Sequence, residues 1–222
     1  MCPKTLSVGL VLIAALGACA QGDPGVSTPS NGRGAETALQ AAEDVVVLLN
    51  TPDFAAASEL VVPGHAALAS LVEGATFAQV ADALEGGDAG VAANFWAGFA
   101  QGAGSFLTAP STLEAGRIVS EGNLEFHVVE VTLDDGSGRQ LTARDEDGFR
   151  IDLFASFGGG LADKMIPPVE RLINSQTEDA AIIMPALQTI VPSLLFVANQ
   201  PEMSAQSVQD ILRLVELITR VS

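Results

Sequence analysis

Few residues in this chain are of a type and spacing that could do chemistry. There are two histidines, His65 and His127, far apart in sequence, and two cysteines, Cys2 and Cys19, both near the N-terminus. A zinc site needs several His, Cys or acidic ligands at set spacing, and neither histidine has such a partner one helical turn away. Asp134-Asp135-Gly136-Ser137-Gly138 and Asp145-Glu146-Asp147-Gly148 are rich in oxygen ligands. Neither extends into a twelve-residue calcium loop closed by Glu, so both read as hairpin turns. Gly158-Gly159-Gly160 lacks the surrounding residues of a phosphate loop, and no serine sits in a GxSxG elbow. A pairing of His127 with Asp152 for proton transfer is conceivable if their strands are neighbours; the alternative is a surface or hydrogen-bonded histidine. The candidate pocket residues are His127, Asp152 and Trp96. The sequence implies no catalytic set, no metal and no cofactor.

The elements that must position these residues change character along the chain. Glu36–Leu49 carries Leu39, Ala42, Val46 and Leu49 at helical spacing. Asp53 can cap a helix over Phe54–Val61, His65–Val72 makes a short third helix, and Thr76 stands before a fourth, Phe77–Leu84. Val91–Leu107 reads as a longer helix carrying Phe95, Trp96, Phe99 and Phe106. Beyond Gly116 the period shortens to two. Leu124, Phe126 and Val128 alternate with polar residues, and the phase shifts at Val128-Val129, where a bulge is expected. Arg139–Arg144 and Phe149–Phe154 follow as strands, with Arg117–Ser120 completing an antiparallel meander. Phe157-Gly158-Gly159-Gly160 is expected to end the sheet. Helices return over Asp163–Asn174, beginning at or bent near Pro167-Pro168, and over the apolar stretch Ala180–Ala198. Ala180–Ala198 reads as a core helix pair rather than a membrane span, because two prolines and several polar residues dilute it and acids flank it. Ser204 caps a last helix with an apolar stripe of Val208, Ile211, Leu212, Val215 and Ile218. The fold class is α+β: N-terminal helices, then a curved antiparallel meander, with additional C-terminal helices packed on it.

Composition narrows the partners. Of 222 residues, 27 are acidic and 10 basic, a net charge of −17 that argues against binding nucleic acid. At 48% hydrophobic and 17% charged, the chain can build a core without disulfides or metal. Residues 1–18 begin with Lys4 and run through uncharged, mostly apolar Leu6–Leu16 to Gly17 and Ala18. That is the layout of a signal peptide, too short to span a bilayer comfortably. Leu16-Gly17-Ala18-Cys19 resembles the lipobox of bacterial lipoprotein precursors. The resemblance implies removal of residues 1–18 and a diacylglycerol on Cys19. It also implies a place in the cell envelope, on the outer face of the cytoplasmic membrane or on the outer membrane. Residues 19–34, rich in Gly, Pro, Ser and Thr, are then a lipidated N-terminus and flexible linker. Residues 35–222 form a single domain.

Helices followed by a meander that ends in Asp147-Gly148-Phe149-Arg150-Ile151-Asp152 are similar to exported members of the nuclear-transport-factor-two-like superfamily. The resemblance covers residues 36–157 and implies a cone-like core over 35–157 with a pocket, residues 158–222 being a helical extension. Some enzymes of that superfamily use a His or Asp in the cone for proton transfer. The leading expectation is a non-catalytic lipoprotein, held to the membrane through the lipid on Cys19, that binds a hydrophobic small molecule or a partner protein. The alternatives are an enzyme using the pocket with a His/Asp pair, and a structural interaction module with no pocket.

Overall fold

The computed structural model describes residues 34–73, 76–103, 110–175 and 178–220. The signal peptide, Cys19, the linker as far as Arg33, and Phe106 lie outside the described residues. The architecture is mixed α+β, with helices on both sides of the strands in the chain. Among the described residues five α-helices come first: α1 Ala38–Asn50, α2 Phe54–Glu59, α3 His65–Ser70, α4 Phe77–Glu85 and α5 Ala89–Ala103. Four strands follow, β1 Pro110–Glu121, β2 Leu124–Leu133, β3 Gly138–Asp145 and β4 Phe149–Ile151, then α6 Leu153–Ser175, α7 Glu178–Thr189, α8 Val191–Ala198 and α9 Ala205–Thr219.

Local chemistry sets most of the helix starts. The Thr37 hydroxyl accepts from Gln40 N–H ahead of α1, Asp53 accepts from Ala56 N–H ahead of α2, and Ser204 accepts from Ser207 N–H ahead of α9. Thr76 holds the cap position of α4 but makes no side-chain bond there. On α9 the buried seam is Ile211, Leu214 and Ile218, while Leu212 is turned outward and half exposed. Ile211 and Ile218 of the expected stripe are buried and Val215 packs against the core, so the correction concerns Leu212, whose place in the seam Leu214 takes.

The sheet is an antiparallel meander in the order β1-β2-β3-β4, as the period-two pattern predicts. The expected bulge falls on the partner strand. β2 runs in unbroken register with β3, whereas β1 slips between Ala115 and Ile118, opposite Val128. Val128 and Val129 are both buried because both faces of the sheet are covered. On one face α1 touches all four strands; the other packs against α6 and α8, with Phe126 stacked on Phe196 at 4.6 Å.

β4 is shorter than expected, and its successor is a helix. Only Phe149–Ile151 is strand; Leu153 and Phe154 already belong to α6. The glycine triplet therefore lies inside a helix instead of ending the sheet. Pro167 and Pro168 also lie within α6, which continues to Ser175. The carbonyls they leave without donors belong to Asp163 and Lys164, both exposed, where water can serve.

The outer edge of β4 is closed by neighbouring backbone. Ala35 exchanges two hydrogen bonds with Phe149, at 2.9 and 2.8 Å, and Ile151 N–H donates to Leu60 O while Val62 N–H donates to Ile151 O. Gly34, the last residue of the sequence-predicted linker, is docked here too. A Cβ on Gly34 would stand 2.5 Å from the backbone of Gly148, so only glycine fits this crossing. A continuous hydrophobic cluster runs from Ala35 through the sheet to Ile218 on α9.

Candidate functional site

Two places in the fold gather residues of chemical interest, and both are built on the start of α6. The first is a buried polar cluster around Asp152. Asp152 ends β4 and caps α6: its N–H donates to Thr142 O, and its Oδ1 accepts from Ala155 N–H at 2.8 Å. Ser193 of α8 donates its hydroxyl to Oδ2 at 2.7 Å, and Arg144 Nε lies 3.0 Å from the same oxygen. His65 Nδ1 of α3 stands 3.4 Å from Oδ1, its ring edge-on to Phe154 at 5.1 Å. Asp152 and Ser193 are wholly buried and His65 is 1% exposed.

Electrostatics keep this carboxylate ionised. Burial, the largest single influence, pushes the Asp152 pKa up. The neighbouring His65 imidazole and Arg144 guanidinium, with the hydroxyl hydrogen bond from Ser193, together outweigh it and hold the carboxyl below the ordinary carboxylate range. Arg144 extends the cluster outward to Glu146 at 3.0 Å. The arrangement ties β3, β4, α3, α6 and α8 at one point. Ser, His and Asp are all present, but the acid is central and no substrate can reach groups this deeply buried. The chemistry is that of a buried ion pair, which positions elements, although His65 Nδ1 and Nε2 and Arg144 Nε make no hydrogen bond of good geometry.

The second place is a cavity of about 750 Å³ beside that junction, bounded by α3, α5, the β2–β3 hairpin, α6 and α8. Phe95, Phe99, Phe157, Phe196 and Met203 supply apolar wall. Phe99 and Phe157 meet edge-on at 4.9 Å, which fixes α5 against α6. The first two turns of α6 carry the glycines. A Cβ on Gly159 would lie 2.4 Å from Met203 Cε and one on Gly158 3.3 Å from Leu194 Cδ2, while Gly160 faces open space. Three helical glycines cost roughly 3 kcal/mol relative to alanine, a cost that close approach of α8 and the room of the cavity must offset. At the mouth stand Arg139, Lys164, Glu130, Gln140, Gln200 and Glu202. The Gln140 amide donates to both oxygens of Glu130, at 3.1 and 3.2 Å.

The structure does not bring the sequence-predicted site residues together. His127 pairs in register with Ala143, and Ala143 with Ile151, so His127 shares the face of Ile151 while the next residue, Asp152, belongs to the other. His127 instead packs edge-on against Phe149 at 4.8 Å. The histidine beside Asp152 is His65, which the sequence reading left as a bland residue. Trp96 stands behind the cavity wall, edge-on to Phe95 and Phe99, with its indole N–H donating to the Ser58 hydroxyl at 3.0 Å. Phe157, Met203, Arg139 and Lys164 were missed. Their signal was a triple glycine set within the helical repeat of Phe154, Ala162, Met165 and Val169.

Among the described residues no group of three or more His, Cys, Asp or Glu is placed to hold a metal ion. No single helix among them is long and apolar enough to cross a membrane. The pair Ala180–Thr189 and Val191–Ala198 reaches that length only across a 43° bend, and its Leu187, Ile190 and Leu194 are wholly buried. The chain matches no family model, no curated protein and no solved structure.

Proposed function

We propose that this chain is an exported lipoprotein, held to the membrane by a lipid on Cys19, whose folded portion binds an apolar small molecule without turning it over. The cavity beside α6 carries the reading. Its volume of about 750 Å³ falls within the range of roughly 300–1,000 Å³ typical of small-molecule sites, and Phe95, Phe99, Phe157, Phe196 and Met203 give it an apolar wall. The hydroxyls on its lining are already engaged: Ser70 donates to Ala66 O and Ser156 accepts from Thr142 N–H. The strongest polar cluster in the domain is sealed away from it. A pocket also agrees with the nuclear-transport-factor-two-like resemblance, although part of its wall comes from residues 158–222, outside the resembling segment.

The test is native purification of the full chain from its membrane, followed by mass spectrometry of what accompanies it. One hydrophobic small molecule in near-equal amount supports the reading. A stoichiometric protein with no small molecule would replace it with an interaction module. The anchor is tested separately: Cys19→Ala should leave unprocessed or mislocalised chain in a detergent-partition assay, and normal membrane retention would remove the lipoprotein half of the proposal.

A further inference from the structure

The two edges of the sheet end differently. Ala35, Leu60 and Val62 close β4 with backbone hydrogen bonds. β1 is the opposite edge, and its backbone bonds to no described residue outside β2. One side of the strand Pro110–Glu121 is therefore open to pairing with another strand. Ile118 on it is 61% exposed, more than any other large hydrophobic side chain among the described residues. β1 also carries the bulge. Ala115 stands opposite Val129 and Ile118 opposite His127, so Gly116 and Arg117 share the place across from Val128. The extra residue shifts the alternation of faces. Leu113 and Ile118 consequently fall on one face, opposite Val131 and His127. Glu114 falls on the other, opposite Glu130, and Arg117 is on that side too, where its guanidinium donates to Gln200 just past α8.

We infer that the open edge of β1 binds a second copy of this chain, strand to antiparallel strand, about a twofold axis between Ala115 and Gly116. Leu113 and Ile118 are equally spaced about that point, and so are Glu114 and Arg117. In this register Glu114 of each copy meets Arg117 of the other on one face, and Leu113 meets Ile118 on the other face. The twofold makes each pair twice, and opposite-charge and apolar pairs across a ladder are both stabilising. The ladder is interrupted at the bulge itself and resumes on either side. An edge that stays single is commonly guarded by charge of one sign. Here both signs are present, placed so that each attracts its own image. The net charge of −17 does not oppose the contact, because charges beyond about 8 Å are screened at physiological salt. A strand of unrelated sequence would satisfy the backbone but not both side-chain pairs. The inference goes beyond the cavity reading and does not depend on it.

The experiment is thiol crosslinking of the full chain in the cells that express it, with a short membrane-permeable bis-maleimide. Ala115→Cys places a thiol beside the twofold axis, and Gln206→Cys, on the exposed side of α9, is the control. The parent chain, whose cysteines are Cys2 and Cys19, sets the background. Ala115→Cys should give a crosslinked dimer well above both. Adding Glu114→Arg or Arg117→Glu puts like charges across the axis twice and should lower the dimer yield about fivefold or more. Adding both exchanges the charges and should restore the yield to within about twofold of Ala115→Cys alone. Thermal unfolding of each purified variant checks that it is folded, and recovery in the double exchange excludes a loss through misfolding. Equal yields from Ala115→Cys and Gln206→Cys overturn the inference, because they report collision alone. A dimer that neither single exchange weakens, or that the double exchange fails to restore, overturns it as well. Crosslinking of Ala115→Cys to a different protein, with no dimer of this chain, would replace the second copy with that partner.

Discussion

The two sides of the α6 N-terminus treat polar groups in opposite ways. Around Asp152, the side chains of His65, Arg144 and Ser193 gather on one carboxylate where solvent does not reach. A turn further along the same helix, an open cavity is walled by Phe95, Phe99 and Phe157 and carries its charges only at the rim. Polar chemistry is thus spent on holding the helix in place, while the phenylalanines give the accessible space an apolar inner wall. A catalytic pocket distributes its groups the other way, with convergent polar atoms at the reacting centre. The contrast is the physical basis for reading this domain as a binder.

The largest test of that contrast falls on the sealed side. Asp152→Ala removes the cap of α6 and strands the Arg144 guanidinium without its buried partner. A loss of about 3–5 kcal/mol is expected in denaturant unfolding, the scale for breaking one side of a buried ion pair. Asp152→Asn, which retains a capping oxygen, should lose less. A loss under 1 kcal/mol for the alanine variant would mean that the cluster positions nothing.

How much of this was legible from sequence depends on which interactions decide each element. The meander followed from alternation in Leu124–Val128 and from Asp/Gly turns, both local signals. Asp53 and Ser204 as caps were local as well, and they hold. The start of α6 was not local. Phe149–Ile151 alternates, and nothing within that run says that Asp152 turns from strand residue to helix cap. That switch depends on His65, Arg144 and Ser193 arriving from other elements. Glycines read as loop for the same reason: a helical triple glycine is sensible only once Leu194 and Met203 are seen pressed against it. The His127–Asp152 pairing failed on register, since neighbouring strands can still place two residues on opposite faces.

Acid offers the next test, with a smaller effect. The Asp152 carboxyl titrates below its ordinary value in the folded chain, so its contribution to stability is full above about pH 4. It is lost as pH falls through the lowered folded value. The stability gap between the native chain and Asp152→Asn should therefore be constant from neutrality to about pH 5 and narrow below about pH 4. A gap that stays constant through that range would show that Asp152 is not held ionised by its neighbours. Ser193→Ala, which deletes one donor to the carboxylate, should cost about 1–2 kcal/mol at neutral pH in the same assay.

The smallest effect belongs to the open side and has the opposite sign. Gly160 sits within α6 and lines the cavity, and a Cβ placed on it meets nothing within 4 Å. Replacing it with alanine removes the backbone entropy penalty of a helical glycine and introduces no clash. Gly160→Ala should therefore stabilise the chain by about 0.5–1 kcal/mol, a rise of about 1–4 °C in the unfolding midpoint for a domain of this size. Gly159→Ala is the paired control, because its Cβ would press on Met203 Cε at 2.4 Å and force that side chain aside. It should gain less than Gly160→Ala or lose stability outright. If Gly160→Ala is the more damaging of the two, the space beside α6 is filled in solution and the division between a sealed polar side and an open apolar side does not stand.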